Sequence, residues 1–225
     1  AEAQISREIG KFLMNGGLYK GAKPVLWSVV EKTALADAEV EYHDHKSTTI
    51  YVRFPIVSSS QSILEGASIV IWTTTPWTIP GNRAVAYGEQ FDYGVYQVEE
   101  IDEESTAIVG EKLVIGSALA EEVEKAAKIT KMLQIGSIKG ADFSEAILSH
   151  PLRGSGFDFN VPMLPADFVT LEQGSGFVHI APGAGSDDFE LGLEHGLEVV
   201  TNVDDSGKFY DHIPLVAGMD VIKDN

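Results

Sequence analysis

The chain contains no cysteine among its 225 residues. Disulfide bonds and zinc sites built on thiolates are therefore excluded, and the absence of cysteine is compatible with the reducing cytoplasm. No apolar run approaches the ~20 residues that a membrane-spanning helix requires, and the first residues lack the pattern of a secretory signal peptide. We expect a cytoplasmic protein without a membrane partner.

Basic residues are scarce in this chain. It has 16 Lys and Arg against 34 Asp and Glu, which gives a formal net charge of −18. A protein that binds nucleic acid by itself needs a basic surface, so this balance argues against that class of function. The 44% of hydrophobic and 22% of charged residues are ordinary for a globular protein. Because there is neither an internal repeat nor a low-complexity linker, residues 1–225 are predicted to form a single domain.

Long apolar runs are absent, and the short ones are β-branched and bounded by turn residues, which is typical of strands. Apolar residues at helical spacing occur in three segments, 2–14, 111–128 and 189–195. We therefore expect a β-rich α+β fold with a barrel-like mixed sheet and peripheral helices. Most of residues 136–168 is predicted to be irregular. The predicted strands are 24–30, 38–42, 48–57, 69–72, 84–87, 93–98, 106–109, 163–168 and 177–181.

Three consecutive threonines, Thr73 to Thr75, follow the predicted strand 69–72. Pro76 and Pro80 interrupt regular pairing after them, so the backbone opens at this point. Hydroxyls and free amides at a sheet edge can hold a small polar ligand. The alternative is a threonine-rich strand end without function, since threonine is common in strands.

A second segment, residues 174–188, is predicted to form a strand, a glycine loop and the start of a helix whose N-cap is Ser186 or Asp187. It is not a P-loop, because no Gly-Lys-Ser/Thr follows. Two aspartates, Asp187 and Asp188, at the start of the helix would repel phosphate and suit an ammonium group. The alternative for Asp188 is stabilisation of the helix dipole. For His179, within the strand, the alternative is a hydrogen-bonded core histidine.

Other catalytic arrangements find little support in the sequence. His43 and His45 have no third ligand nearby, so a solvated turn is the better interpretation and no metal site is predicted. The chain has neither a Gly-x-Ser-x-Gly elbow nor a convincing Ser-His-Asp or Cys-His set. Any hydrolysis is therefore expected to proceed by direct attack of water.

Both segments resemble one family. Thr-Thr-Thr-Pro-Trp-Thr-Ile-Pro-Gly-Asn-Arg-Ala, from residue 73, is similar to the threonine-rich signature in the editing domain of isoleucyl-tRNA synthetases. Essentially the whole chain resembles that domain, and residues 1–45 and 199–225 would include the stalk and return segments to the synthetase body. The second signature, Gly-x-Gly-x-Val-His-x-Ala-Pro-x-x-Gly-x-x-Asp, matches at Gly174, Gly176, Val178, His179, Ala181, Pro182, Gly185 and Asp188.

The resemblance implies a fold of the editing-domain type and hydrolysis of valine from mischarged valyl-tRNA(Ile), with isoleucine excluded by size. Asp188 would hold the α-ammonium, His179 would border the side-chain pocket, and the threonines would line the ester and terminal ribose. Ala184 departs from many relatives, which have a ring there. The resemblance implies a catalytic group of Thr73, Thr74, Thr75 and Asp188, and a substrate-binding group of Trp72, Asn82, His179, Gly183 and Asp188.

The implied partners are the 3′-terminal aminoacyl-adenosine of tRNA(Ile) and the rest of the synthetase in cis; the isolated domain is expected to be a monomer. No cofactor is expected in this domain. ATP and magnesium serve the synthetic domain, whose His-x-Gly-His and Lys-Met-Ser-Lys-Ser signatures are missing, so we expect an excised editing domain that does not charge tRNA. The alternatives are a non-catalytic aminoacyl- or nucleoside-binding module and an acidic interaction domain.

Overall fold

The structure, a computed structural model, describes residues 1–44 and 46–224. His45 therefore lies outside the described residues, and His43 is exposed with its ring 3.5 Å from Glu41. None of the described helices is both long and apolar enough to cross a membrane. The helices and strands are α1 (Glu2–Met14), β1 (Trp27–Ser28), β2 (Thr33–Ala34), β3 (Ile50–Ser58), β4 (Ala67–Thr73), β5 (Ala84–Tyr87), β6 (Asp92–Ile101), β7 (Lys112–Gly116), α2 (Ala120–Ala126), β8 (Ile129–Lys139), β9 (Ile147–Ser149), β10 (Asn160–Pro165), β11 (Phe177–Ile180) and α3 (Ser186–Glu194).

One mixed sheet forms the body of the molecule. Within the described ranges it contains nine strands in the order β11-β5-β10-β9-β3-β4-β7-β6-β8, and β1 pairs with β2 in a separate hairpin. The pairs β4–β7 and β5–β10 are parallel, whereas β11–β5 and β3–β4 are antiparallel. The expected β-rich α+β fold with a mixed sheet and few helices is therefore confirmed.

The sheet curls but does not close into a barrel, because β11 and β8 are its two ends and do not pair within the described residues. The curl brings the start of β11 against the middle of the sheet. There the Gly116 amide at the end of β7 donates a hydrogen bond of 2.8 Å to the Ser175 carbonyl. The Tyr93 hydroxyl on β6 donates to the Gly176 carbonyl at 3.0 Å. Two strands far apart in the pairing order thus face each other across a short gap.

An aromatic cluster fills the concave side of the sheet. Tyr93, Phe143 and Phe177 pack with ring centroids 4.4–5.5 Å apart, a spacing at which aromatic pairs attract beyond their burial. Phe54 of β3 lies in the same core. The other large buried members of this core include Leu64, Ile69, Ile71, Val85, Tyr87, Val95, Leu148 and Val161.

Several predicted elements are wrong in type. The helix predicted over 111–128 is split into β7 and α2, because Leu113, Val114 and Ile115 form a continuous buried strand between β4 and β6. Residues 106–109 do not form a strand, and β6 pairs instead with β7 and β8. Residues 136–168, predicted to be largely irregular, contain the end of β8 as well as β9 and β10.

The first 44 residues pack only loosely against this body. Helix α1 has no buried residue, and Ile5, Ile9 and Phe12 on its apolar side are at least half exposed. The strand predicted at 24–30 is reduced to the two-residue β1, and the segment 38–42 contains the end of a 3₁₀ turn, Asp37–Glu39, in place of a strand. One anchor is the Trp27 indole, which donates to the Asp205 carbonyl at 3.0 Å. The assignment of residues 1–45 and 199–225 to stalk and return segments stays a prediction.

Candidate functional site

A cavity of about 370 Å³ lies between the end of β4 and the strand–loop–helix unit of β11 and α3. It contains Trp72, Thr73, Thr74, Thr75, His179 and Asp188, so the structure brings most of the predicted site residues together. The register of β3 with β4 places Ile50 opposite Thr73. The remaining lining residues are Thr78, Phe168, Thr170, Gln173, Gly174, Ser175, Gly176, Phe177, Val178, Ala184 and Gly185.

The threonine segment leaves the sheet at Thr73 and continues into a 3₁₀ turn, Pro76–Gly81. Pro76 is the first residue of this turn, where its missing N–H is not needed. The buried Thr73 hydroxyl accepts a hydrogen bond of 3.1 Å from the Thr75 amide and lies 3.3 Å from the Thr75 hydroxyl. Thr74 and Thr75 are exposed and line the cavity.

His179 is held by a buried hydrogen-bond network. The Thr78 hydroxyl lies 2.7 Å from His179 Nε2 and donates its proton to the Thr75 carbonyl at 2.8 Å. Since a hydroxyl has one proton, it accepts from Nε2–H, and the Asn82 amide donates to Nδ1 at 3.2 Å. His179 is therefore neutral and protonated on Nε2. Burial lowers its pKa to about 4, with a smaller effect from His150. Both ring nitrogens are occupied, so this ring is a wall of the cavity and not a free base.

Asp188 lies in the first turn of α3, where its Oδ2 accepts a hydrogen bond of 2.7 Å from the Ala181 amide at the end of β11. Burial raises the pKa of this carboxyl to about 6, the Ala181 hydrogen bond opposes that rise, and the neighbouring Asp187 adds to it. The helix begins after Gly185, which has no side chain to cap it, and not after Ser186 or Asp187 as the sequence suggested. A cation in the cavity would offset the cost of this partly buried charge.

Two predicted substrate-binding residues lie behind the cavity and do not line it. Asn82 is fully buried, and its amide also donates to the Ala84 carbonyl at 2.8 Å, so it orients His179 from the far side. Gly183 borders a separate cavity of about 70 Å³. A Cβ on Gly183 would lie 2.1 Å from the Val200 carbonyl oxygen, so this glycine allows close packing of two backbones.

Ala184 borders both cavities, together with Thr78. The side chain at this shared part of the two linings is only a methyl group. Ala184, which stands where many members of the resembled family have a ring, therefore lies at the rim of the site.

Sequence reasoning missed several residues of the cavity. Thr78 lies in the threonine segment three positions after Thr75, the spacing of a turn hydrogen bond, and this signal was available in the sequence. Ser175 lies between Gly174 and Gly176, at a position where the signature specifies no residue type, so the signature did not identify it as a site residue. Phe168, Thr170 and Gln173 come from a segment with no regular pattern and reach the cavity because the chain turns there before β11.

Similar proteins were found by sequence. The family described as tRNA synthetases class I (I, L, M and V) matches residues 1–206. Isoleucine–tRNA ligase of Pelagibacter ubique is 51% identical over 225 residues, which cover 100% of this chain and 24% of that protein. Isoleucine–tRNA ligase of Gluconobacter oxydans is 48% identical over 225 residues, which cover 99% of this chain and 23% of that protein. The chain thus spans about a quarter of the length of these relatives.

Solved structures show the same fold at low identity. The structure of GlLeuRS-CP1 superimposes with a TM-score of 0.51 and 16% identity, covering 68% of this chain and 66% of that one. The editing domain of the P. knowlesi cytosolic leucyl-tRNA synthetase superimposes with a TM-score of 0.50 and 9% identity, and the match covers 66% of this chain and 62% of that chain. The open, curled sheet described above is therefore the fold of these synthetase domains.

Proposed function

The chain belongs to the tRNA synthetases class I (I, L, M and V), and on that basis we propose that it is the proofreading domain of an isoleucyl-tRNA synthetase. In this proposal it hydrolyses the ester that links valine to the 3′-terminal adenosine of tRNA(Ile). The observation that carries the proposal is the meeting of the Asp188 carboxylate with Thr73–Thr75 in one cavity of about 370 Å³.

The need for such a site is energetic. One methylene in an apolar pocket gives only about 1–3 kcal/mol of discrimination, and the pair isoleucine and valine is the standard illustration of that limit. A second site that admits the smaller product and excludes the larger one overcomes it. His179 suits the excluding wall, because its ring donates a hydrogen bond to Thr78 and accepts one from Asn82, which fixes it on two sides.

Water attacks the ester carbonyl directly in this mechanism. Asp188 pairs with the α-ammonium and fixes the aminoacyl group. The hydroxyls of Thr74 and Thr75 and the nearby backbone amides stabilise the negative charge that develops on the carbonyl oxygen. The bond between the carbonyl carbon and the ribose oxygen breaks, a proton from the attacking water passes to that oxygen, and valine and tRNA with a free terminal hydroxyl leave. Asp188 acts in binding, since a carboxylate paired with an ammonium is a weak base.

The acidic charge of the chain fits a limited role in tRNA binding. With a net charge of −18 it would repel the phosphate backbone, so it receives only the 3′ end of a tRNA that the rest of the synthetase holds. No cofactor takes part in this domain, and ATP and magnesium serve the synthetic domain elsewhere in the longer protein. The isolated domain acts as a monomer in this proposal.

The test compares two neighbouring aspartates. Asp188→Asn removes the charge that pairs with the ammonium but keeps an acceptor for the Ala181 amide, and we expect deacylation of valyl-tRNA(Ile) to fall about 100-fold. Asp187→Asn changes an exposed carboxylate one position away and serves as the control, with hydrolysis within about twofold of the original chain.

Deacylation that is unchanged in Asp188→Asn would remove the assignment of Asp188. A chain that binds an uncleavable valyl-adenosine analogue but does not hydrolyse valyl-tRNA at high protein concentration would favour the non-catalytic binding module.

A further inference from the structure

His150 is a buried histidine that does not line the cavity. It lies just after β9, and burial lowers its pKa to about 4, so the ring is uncharged. Its Nδ1 accepts a hydrogen bond of 3.2 Å from the Leu152 amide, and its Nε2 lies 3.1 Å from the Ile79 carbonyl. Because Nδ1 accepts, the proton of the neutral ring is on Nε2, which donates to Ile79. His150 therefore holds the 3₁₀ turn Pro76–Gly81 from outside the cavity.

Three aromatic rings fix the orientation of the His150 ring. Phe157 stacks on it with ring centroids 5.0 Å apart and 17° between the planes. Phe159 lies at the same centroid distance, and Phe54 meets the ring edge-on at 6.3 Å. Aromatic rings at such distances attract one another in specific orientations, beyond the effect of burial. The ring can therefore neither rotate nor withdraw from the Ile79 carbonyl without disrupting this packing.

Two histidines hold the same short segment from different sides. His179, in the wall of the cavity, donates to the Thr78 hydroxyl at 2.7 Å and accepts from the side-chain amide of Asn82 at 3.2 Å. Between these two positions lies Ile79, whose carbonyl accepts from His150 and also from the backbone amide of Asn82, at 3.0 Å. A change in the position of Ile79 therefore moves Thr78 and Asn82, and with them the His179 ring.

We infer that His150 is a positioning residue that fixes the His179 wall, and thereby the largest acyl group that the cavity admits. This inference rests on the proposed function, because selection by size belongs to the proofreading reaction. His150 touches no substrate and acts through the segment Thr78–Asn82. A small displacement of the wall is enough to change the selection, since valine and isoleucine differ by one methylene.

The test uses two substitutions that each keep one contact of His150. His150→Gln places an amide N–H near the position of Nε2 and keeps a donor for the Ile79 carbonyl. His150→Asn, one methylene shorter, keeps an acceptor for the Leu152 amide but does not reach Ile79. The measured quantity is the rate of isoleucyl-tRNA deacylation divided by that of valyl-tRNA. We expect this ratio to rise about 5- to 10-fold in His150→Asn, the effect of one hydrogen bond, and to stay within about twofold in His150→Gln.

The control for a general loss of stability is Val98→Ala. Val98 is fully buried on β6, in a core cluster that does not include the turn. This substitution should lower the midpoint of thermal unfolding and leave the ratio unchanged. A rise in Val98→Ala equal to that in His150→Asn would show that destabilisation alone relaxes the selection, which overturns the inference. An unchanged ratio in His150→Asn, or equal rises in His150→Asn and His150→Gln, would overturn it as well.

A spectroscopic measurement tests the positioning without a substrate. Long-range ¹H–¹⁵N spectra of the imidazole rings should show His179 protonated on Nε2 in the original chain. Its ring signals should shift in His150→Asn and stay unchanged in Val98→Ala. Identical His179 signals in His150→Asn and the original chain would overturn the inference. If the original chain does not hydrolyse valyl-tRNA, the proposed function fails, and the His179 signals still decide whether His150 positions that ring.

Discussion

At the scale of single residues, the site depends on one hydroxyl that joins its two halves. Thr78 belongs to the threonine segment but bonds His179 on β11, and it also holds the Thr75 carbonyl. Thr78→Val keeps the shape of the side chain and removes both hydrogen bonds. We expect it to lower the free energy of unfolding by about 1–3 kcal/mol, because it leaves a buried imidazole N–H and a carbonyl without partners.

The control for this prediction is Thr78→Ser, which keeps the hydroxyl and should recover most of that loss. The measurement is unfolding in urea, combined with hydrolysis of isoleucyl-tRNA. A freed His179 ring should make the wall less selective, so Thr78→Val should hydrolyse isoleucyl-tRNA faster than Thr78→Ser does. Equal stability of the two variants would show that the hydrogen bonds contribute nothing.

Asp188 should make stability depend on pH. Its pKa is raised from the ordinary 3.8 to about 6, so the folded state binds a proton more tightly than the unfolded state. The ionised form therefore costs stability above pH 6, and that cost disappears as the pH falls below 4. We expect Asp188→Asn to be more stable than the original chain at pH 7.5 by about 1–2 kcal/mol, allowing for solvent screening.

The difference in free energy of unfolding between Asp188→Asn and the original chain should be about half as large at pH 5 as at pH 7.5. Urea unfolding of both proteins at these two pH values is the measurement. Burial lowers the pKa values of His150 and His179 to about 4, so protonation of these residues destabilises the folded state below pH 6.5. This effect is the same in both proteins and cancels when their free energies of unfolding are subtracted. A less stable Asp188→Asn at pH 7.5 would contradict the prediction. Lower activity with higher stability would identify Asp188 as a residue that serves function at the expense of the fold.

The sequence predicted the residues that line the cavity better than those that support them from behind. Thr73–Thr75, His179 and Asp188 all line the cavity, since a motif resemblance identifies the groups that a ligand would contact. Asn82 and Gly183 are close to the site but act behind it, and nothing in the spacing of the motif distinguishes these two positions. The hydrogen bond from His150 to the Ile79 carbonyl is a property of the packed structure and has no signal in the sequence.

At the scale of elements, the segment after β11 packs on a backbone with no space for a side chain. Gly183 approaches the Val200 carbonyl so closely that a Cβ would lie 2.1 Å from its oxygen. We expect Gly183→Ala to lower the free energy of unfolding by about 1–3 kcal/mol, since one of the two backbones must move. Gly10→Ala in α1, where a Cβ meets nothing within 4 Å, is the control and should leave the unfolding of the sheet unchanged.

The same substitution should slow hydrolysis, because the loop from Ala181 to Gly185 carries the start of α3 and therefore Asp188. Unfolding in urea and deacylation of valyl-tRNA are the two measurements. A Gly183→Ala chain with unchanged stability would mean that the segment around Val200 moves away at little cost.

Whether a segment forms a helix or a strand was hardest to predict where burial in the sheet overrides the spacing of apolar residues. Residues 111–128 have apolar residues at helical spacing, yet Leu113–Ile115 form a strand because β7 is covered on both edges by β4 and β6. Central strands of this kind are continuous apolar runs and resemble buried helices in sequence. By contrast, β3 is rich in β-branched and aromatic residues, and α1 has its apolar residues on one side, so both could be predicted.

At the scale of the whole molecule, the charge of −18 creates repulsion that folding must overcome. Salt shortens the range of that repulsion. We therefore expect the midpoint of thermal unfolding to rise between 20 and 300 mM NaCl, values about an order of magnitude apart in ionic strength. A chloride series monitored by circular dichroism checks this, and a midpoint that falls with salt would show that attractive ion pairs dominate.

The order of strands in the sheet could not be predicted from the sequence. The neighbours β9 and β3, or β11 and β5, are far apart in the chain, so no local sequence pattern specifies their pairing. The apolar runs and the resemblance together predicted the fold class, whereas the open ends of the sheet and the contact between Gly116 and Ser175 are visible only in the structure.

The contact between Gly116 and Ser175 also has a consequence for biosynthesis. The threonine segment emerges from the ribosome about a hundred residues before Asp188, and the wall opposite it does not exist until β11 has been translated. Pairings between such distant parts of a chain form late and slowly. A nascent or truncated chain that ends before β11 thus exposes a sheet without a pocket, and the cavity between the threonine segment and Asp188 forms only when β11 and α3 have folded against the earlier strands.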